Sequence, residues 1–355
     1  MTNPTAPILL NARFLQQELT GVQRYSREML ARLGDLVEPA GPARPLSAVG
    51  GHLWEQFALP ARCRGRLLWS PGNTGPLSHP EQVVTIHDAA TLDHPEWFSR
   101  KFALWYRFLL PRLAARVRQV ITVSEFSRRR LLERCPLPPE RIAVVPNGID
   151  PRFRPAPEED VAAFRRRNGL DRPYLLYVGS FEPRKNVARL VEAWARTAWK
   201  EGELILAGAS GRVFRDRGFS ALPAGTRTWG RVAEEDLPFL LSGATGFVFP
   251  SLYEGFGFPP LEAMACGCPA LVSTAGSLPE ICGPAFHPAT GTGSAIQVDP
   301  LDVESIALGL RALIALAPAD RKRLAENGRA RAAQFTWERS AGLTRKVLTG
   351  ALPKP

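Results

Sequence analysis

Short apolar runs alternate with longer amphipathic stretches along this chain, and the alternation runs through twice. Pro7–Phe14 (PILLNARF) is apolar enough for a buried first strand, and Thr20-Gly21-Val22 then opens a helical pattern over Val22–Leu33. Residues 34–50, rich in Gly, Pro and Ala, predict a loop or short elements. Leu67–Ser70, Val83–Ile86, Val120–Val123 and Ile142–Val145 are β-rich runs, and Ser124–Cys135 is a helix with Ser124 as its N-cap. A shift to proline and charge over Pro151–Asp160 marks a linker. The pattern then restarts with strand Tyr174–Val178, loop Gly179–Asn186, helix Val187–Trp199 and strands Glu203–Gly208 and Thr226–Trp229. Helix Glu234–Leu241, strand Gly246–Pro250, strands Ala270–Ser273 and Ala295–Val298, and helices Leu301–Ile314, Ala319–Phe335 and Trp337–Leu348 complete it. Strands that alternate with helices in this way predict an α/β protein with parallel sheets.

One helical stretch is unusual. In Ser99–Arg118 (SRKFALWYRFLLPRLAARVR), Arg100, Lys101, Arg107, Arg112, Arg116 and Arg118 share half of the helical wheel, with Leu104, Trp105 and Phe108 among them. Apolar side chains between cations suit a membrane interface. They equally suit a solvated basic face whose aromatics pack on a neighbour. Pro111 predicts a kink or boundary.

The length of 355 residues predicts two domains, and 45% hydrophobic against 22% charged residues excludes a disordered chain. A formal charge of +11 points to anionic partners: nucleotide, membrane surface or nucleic acid. Five cysteines with no C-x-x-C spacing leave no zinc or disulfide framework and suit a reduced cytosol. Met1–Leu10 lacks the pattern of a secretory signal, and Pro and Gly interrupt the longest uncharged stretches, so no transmembrane helix is expected.

The candidate chemistry centres on Ser251–Leu271. Seven residues, including Gly255, Gly257, Pro259 and Pro260, separate Glu254 from Glu262. A strand followed by a glycine turn and a helix opening at Pro260 is an anion-binding arrangement, because unpaired amides and the helix dipole attract phosphate. On one continuous helix the two carboxylates would lie about 12 Å apart, and the prolines rule that helix out. A glycosidase pair needs roughly 5 to 9 Å. Each Glu therefore grips hydroxyls of a sugar or ribose, or else the two are a loop acid and a surface acid in the first helical turn. Arg184 and Lys185 sit on a βα loop at the same strand end, where two cations could neutralise a diphosphate or simply be solvated. His87 follows a strand directly, a position suited to ligand contact.

The run E-G-F-G-F-P-P-L-E resembles the E-x7-E signature of retaining, nucleotide-sugar-dependent glycosyltransferases of family 4. T-V-S-E-F-S, V-P-N-G-I-D and Y-V-G-S-F-E-P-R-K-N extend the resemblance over nearly the whole chain. It implies the GT-B fold: two Rossmann-like doubly wound α/β domains facing a cleft. These would be residues 1–155 on the acceptor side and 165–335 on the nucleotide-sugar side, with a helix in 336–355 returning to the first domain. By the same resemblance Gly21 and Val22 face the donor phosphates, and Arg184 and Lys185 bind the diphosphate. Gly230-Arg231-Val232 lies where the base is held, and Glu262 takes the ribose. Glu254 holds the transferred sugar with the Phe256 and Gly257 amides nearby, Gly255 and Phe258 completing that donor-binding run, and His87 touches the sugar. No D-x-D occurs, so no metal or other cofactor is expected. G-V-Q-R-Y, L-W-E-Q and H-P-E-W-F-S resemble bacterial surface-polysaccharide enzymes, many of them mannosyltransferases. That implies GDP-mannose ahead of UDP-hexoses, a saccharide acceptor with a lipid link, and work in the cytoplasm at the inner membrane face. The alternatives are a GT-B epimerase or phosphorylase, or a basic nucleic-acid-binding protein. The last lacks any recognisable module, and the charges are spread along the chain.

Overall fold

The computed structural model describes residues 8–63, 65–208 and 222–352. Pro7, at the head of the expected first strand, lies outside them. The chain divides into two compact units, residues 1–148 with 336–355 and residues 149–335.

The first unit holds six parallel strands: β1 (Ile8–Asn11), β2 (Val37–Ala40), β3 (Leu68–Ser70), β4 (Gln82–Thr85), β5 (Gln119–Thr122) and β6 (Ile142–Val144), in the order β2-β1-β3-β4-β5-β6. Apart from Pro39, Ala143 and Val144 on the two edge strands, their apolar residues are buried because helices cover the sheet. Leu110, Leu113 and Ala114 of helix Arg100–Arg116 pack with Val84 of β4, Val120 of β5 and Leu131. The C-terminal helix Trp337–Gly350 belongs to this unit, where the Trp337 backbone leaves no room for a side chain on Gly148.

The second unit repeats the plan with β7 (Tyr174–Val178), β8 (Glu203–Ala207), β9 (Thr226–Gly230), β10 (Gly246–Phe249), β11 (Ala270–Ser273) and β12 (Ile296–Val298). All are parallel, in the order β12-β11-β10-β7-β8-β9. Near-continuous apolar strands such as YLLYV and GFVF are what a parallel sheet buried on both faces requires. The order reverses between β7 and β10, so the loops after those two strands open the crevice where doubly wound sheets bind ligands.

Several expected boundaries move. The first strand stops at Asn11, whose side chain caps the 3₁₀ turn Ala12–Gln16. Residues 34–50, expected as a loop or short elements, contain β2 and the start of a helical stretch from Ala48 to Cys63, of which 51–63 had no assignment in sequence. Pro111 stays inside helix Arg100–Arg116 without ending it. Helix Val187–Ala195 ends early, before a positive φ at Ala198. Leu278–Cys282 adds a short helix between the expected strands Ala270–Ser273 and Ala295–Val298.

Candidate active site

The loop after β7 folds into a single 3₁₀ turn, Pro183–Lys185, because Pro183 presets the backbone and Asn186 takes the left-handed conformation (φ 61°). Asn186 is held there by hydrogen bonds from Nδ2 to the carbonyls of Pro250 (3.0 Å) and Pro300 (2.7 Å). That tie brings the β7 loop against the β10 loop. Leu252 N donates to the Arg184 carbonyl, with Ser251 Oγ also within 3.0 Å of it. Lys185 is thereby buried, its ammonium 4.9 Å from the Phe249 ring centroid and donating to Glu254 Oε1 at 2.6 Å. Ser251 Oγ donates to the same oxygen at 2.7 Å, and Arg184 Nη1 approaches Oε2 at 3.4 Å. Glu182, in turn, accepts from Arg184 Nε at 2.8 Å.

Burial pushes the Glu254 carboxyl up, but Lys185, Arg184 and Ser251 outweigh it and hold the group below the ordinary carboxylate range. Burial pulls Lys185 down, against the attraction of Glu254 and with the repulsion of Arg184. The depressed carboxylate and the short contact make this an ammonium–carboxylate pair at neutral pH. A buried pair costs much desolvation and is weak evidence for stability. Here it gathers charge at the switch point of the sheet.

The helix after the glycine turn starts at Phe258, two residues before the expected Pro260, and spans Phe258–Ala265. Gly257 precedes it at φ 104°, where a Cβ would lie 2.7 Å from Leu278. Because Pro259 and Pro260 lack amide hydrogens, the start of this helix offers amides only on Gly257 and Phe258. Glu262 lies one turn further in and is buried. Gly255 and Phe256 are buried in the connecting turn, and Ser277 donates to the carbonyls of Glu254 and Phe256 through N and Oγ.

The family model described as "Glycosyl transferases group 1" matches residues 160–331, and "Glycosyltransferase Family 4" matches residues 60–153. The O-antigen chain mannosyltransferase B of Escherichia coli is 33% identical over 72% of this chain and 67% of its own length. The chain belongs to the family 4, group 1 glycosyltransferases. An MMP alpha-(1->4)-mannosyltransferase of Mycolicibacterium hassiacum is 31% identical over 77% of this transferase and 66% of its own length. HepE of Anabaena, solved with UDP and glucose, shares the fold at a TM-score of 0.77 with 18% identity over 97% of this chain and 99% of its own. WaaG, a glycosyltransferase of lipopolysaccharide biosynthesis, does so at 0.72 with 17% identity over 97% of this chain and 100% of its own. The fold is therefore GT-B.

The transferase places its other candidate residues on the carboxyl ends of its two sheets. Arg231 and Val232 follow β9, an edge strand that β8 separates from β7. In the first unit Gly21 and Val22 begin helix Gly21–Leu33, with Val22 facing Gly72 in the loop after β3. His87 is buried just beyond β4, edge-on to Tyr25 with centroids 4.8 Å apart. Its Nε2 lies 3.0 Å from the Pro71 carbonyl, which can only accept, so Nε2 carries the proton. Burial lowers the His87 pKa, and the neutral ring leaves Nδ1 as an acceptor. Among the described residues no group of three or more His, Cys, Asp or Glu is placed to share a metal ion.

Sequence reasoning missed Ser251, Glu182, Asn186 and Gly276. Ser251 had a signal in its place three residues before Glu254. Glu182 acts through Arg184, two residues on, whereas Asn186 and Gly276 act through partners that only the strand order supplies.

Proposed function

We propose that this chain transfers mannose from GDP-mannose to a hydroxyl of a lipid-linked saccharide, with retention of configuration and without a metal ion. The observation that carries the reading is the Lys185–Glu254 pair with Arg184 beside it, at the switch point of the second sheet. As the glycosidic bond breaks, negative charge grows on the leaving diphosphate. Lys185 and Arg184 are preorganised cations for that charge. A bound diphosphate draws Lys185 away from Glu254 and frees the carboxylate to accept from sugar hydroxyls, with the amides of Phe256 and Gly257 nearby. Glu262 takes the ribose, and His87 offers Nδ1 to a sugar hydroxyl. The mannosyl choice is supported by the names of the two relatives above.

A thermal-shift panel of GDP, UDP, ADP and their sugars tests the donor, since a ligand bound to the folded state raises its stability by mass action. GDP and GDP-mannose should give the largest shifts. NMR of the product should show a retained anomer, and activity should persist in excess EDTA. An inverted product, or activity restored only by magnesium or manganese, would overturn the reading.

A further inference from the structure

His87 is held from several sides, and one hold comes from a residue to which the donor site gives no role. β3 and β4 run in register as far as Ser70 opposite Val84. Pro71 then ends the ladder on that side, since it has no amide hydrogen. The Thr85 carbonyl and the His87 amide still face the space that β3 has left, and Asn73 satisfies both. Its own N–H donates to Thr85 O at 3.0 Å, and its Oδ1 accepts from His87 N at 2.7 Å. To do so Asn73 takes a left-handed backbone, φ 66°, which Asn adopts more readily than most residues with a side chain. One amide side chain thus stands in for a missing rung and carries the order of the sheet past the end of β4 to His87.

The same loop fixes the ring. The Pro71 carbonyl lies 3.0 Å from Nε2, and turning the imidazole over would set a carbon there and forfeit the bond. Ser127 Oγ, on helix Glu125–Arg134, donates to the His87 carbonyl at 3.0 Å, and Tyr25, on helix Gly21–Leu33, meets the ring edge-on. Main chain and ring are therefore fixed by one loop and two helices, and Nδ1 is the ring nitrogen left for a ligand. A neutral acceptor there suits glycosyl transfer. Positive charge builds on the transferred sugar as the diphosphate leaves, and a cationic ring beside it would oppose the step.

We propose that Asn73 is a positioning residue that sets His87 as a neutral hydrogen-bond acceptor toward a hydroxyl of the transferred sugar. It acts through His87 and touches no substrate itself. The assignment rests on the transferase reading and adds to it the device that fixes the His87 tautomer.

Two measurements on the full chain test it. Nitrogen-15 NMR of labelled histidine at pH 8 reads the ring directly, with the His87 signals assigned by their loss in His87→Ala. The parent should show Nε2–H alone. Asn73→Gly keeps the left-handed backbone, so the loop still forms, and should show both tautomers. Asn73→Asp keeps an acceptor oxygen and should restore the single form. Calorimetry with GDP-mannose and with GDP reads the consequence, because the ratio of the two affinities isolates the sugar. Asn73→Gly should lower that ratio by about two- to tenfold, the range for one neutral hydrogen bond. His87→Ala should lower it at least as much, and adding Asn73→Gly to His87→Ala should change nothing further. A residue that only stiffened the fold would leave the tautomer of Asn73→Gly unchanged, weaken GDP and GDP-mannose equally, or give losses that add in the double variant, and each of these results would overturn the proposal. A ratio that His87→Ala leaves unchanged strikes the sugar contact of His87 and this proposal together. Failure of the parent to bind GDP strikes the donor reading, and the tautomers of Asn73→Gly and Asn73→Asp then decide this one.

Discussion

Lys185 Nζ donates to Glu254 Oε1 at 2.6 Å across a separation of 69 residues, and both side chains are buried. The contact exists because β10 lies beside β7, so that the loops leaving these strands share one crevice. Lys185→Ala should lower kcat by about 10² to 10³, the usual loss when a preorganised group that stabilises developing charge is removed. Donor binding should weaken less. Steady-state kinetics on a variant shown by melting to be folded decides it, and near-normal turnover would remove Lys185 from the diphosphate.

The pair should also behave as a unit in stability. Lys185→Met alone leaves a buried carboxylate without its main partner and should cost about 3–5 kcal/mol, whereas Lys185→Met with Glu254→Gln should recover most of it. Chemical denaturation of the four members of the cycle measures the coupling. Additive losses would show that the two charges do not depend on each other.

Acid should destabilise the protein in two steps. His87 has a folded pKa lowered by burial from 6.5, so the unfolded chain binds the proton first, and stability falls as pH drops below about 6.5 toward the folded value. Glu254 has a folded pKa held below 4.5, so its contribution is complete above that value and is lost as pH falls through the folded pKa. Melting temperatures of His87→Gln against the parent between pH 7 and 5 should show a flatter slope for the variant. Parallel curves would exclude His87 as the titrating group.

Gly276 is a positioning residue that no chemistry marks. Its φ is 66°, and a Cβ there would come within 2.8 Å of the Glu254 amide nitrogen. Gly276→Ala should cost at least about 1–2 kcal/mol from the left-handed backbone alone and should lower kcat by displacing the carboxylate. Circular dichroism melts and kinetics read the two effects, and a fully active, fully stable variant would contradict the geometry.

Glu262→Ala should act mainly on the donor KM, because ribose contacts change little between ground and transition states. Abolished turnover with unchanged donor binding would show that Glu262 does not hold the ribose.

The order of strands and helices was legible in the sequence because a parallel sheet buried on both faces needs continuous apolar runs. Tyr174–Val178 and Ala270–Ser273 are strands with the expected ends. Local backbone chemistry was less legible. Helix Phe258–Ala265 starts before its prolines, since proline is tolerated throughout a first turn whose amides have no intrahelical partner. The stretch from Ala48 to Cys63 has glycines that masked its helicity, and neighbours in the first unit, such as the Arg13 side chain against Gly51, support it. By itself the sequence determined the α/β class, the E-x7-E run and the two cations of the β7 loop, because these depend on residue type and short spacing. Only the tertiary structure decided that Lys185 meets Glu254, that Gly276 presses on the Glu254 backbone and that Glu55 is buried against Asn11 and Thr74. Each of these depends on which strands and helices become neighbours, and long-range packing settles that.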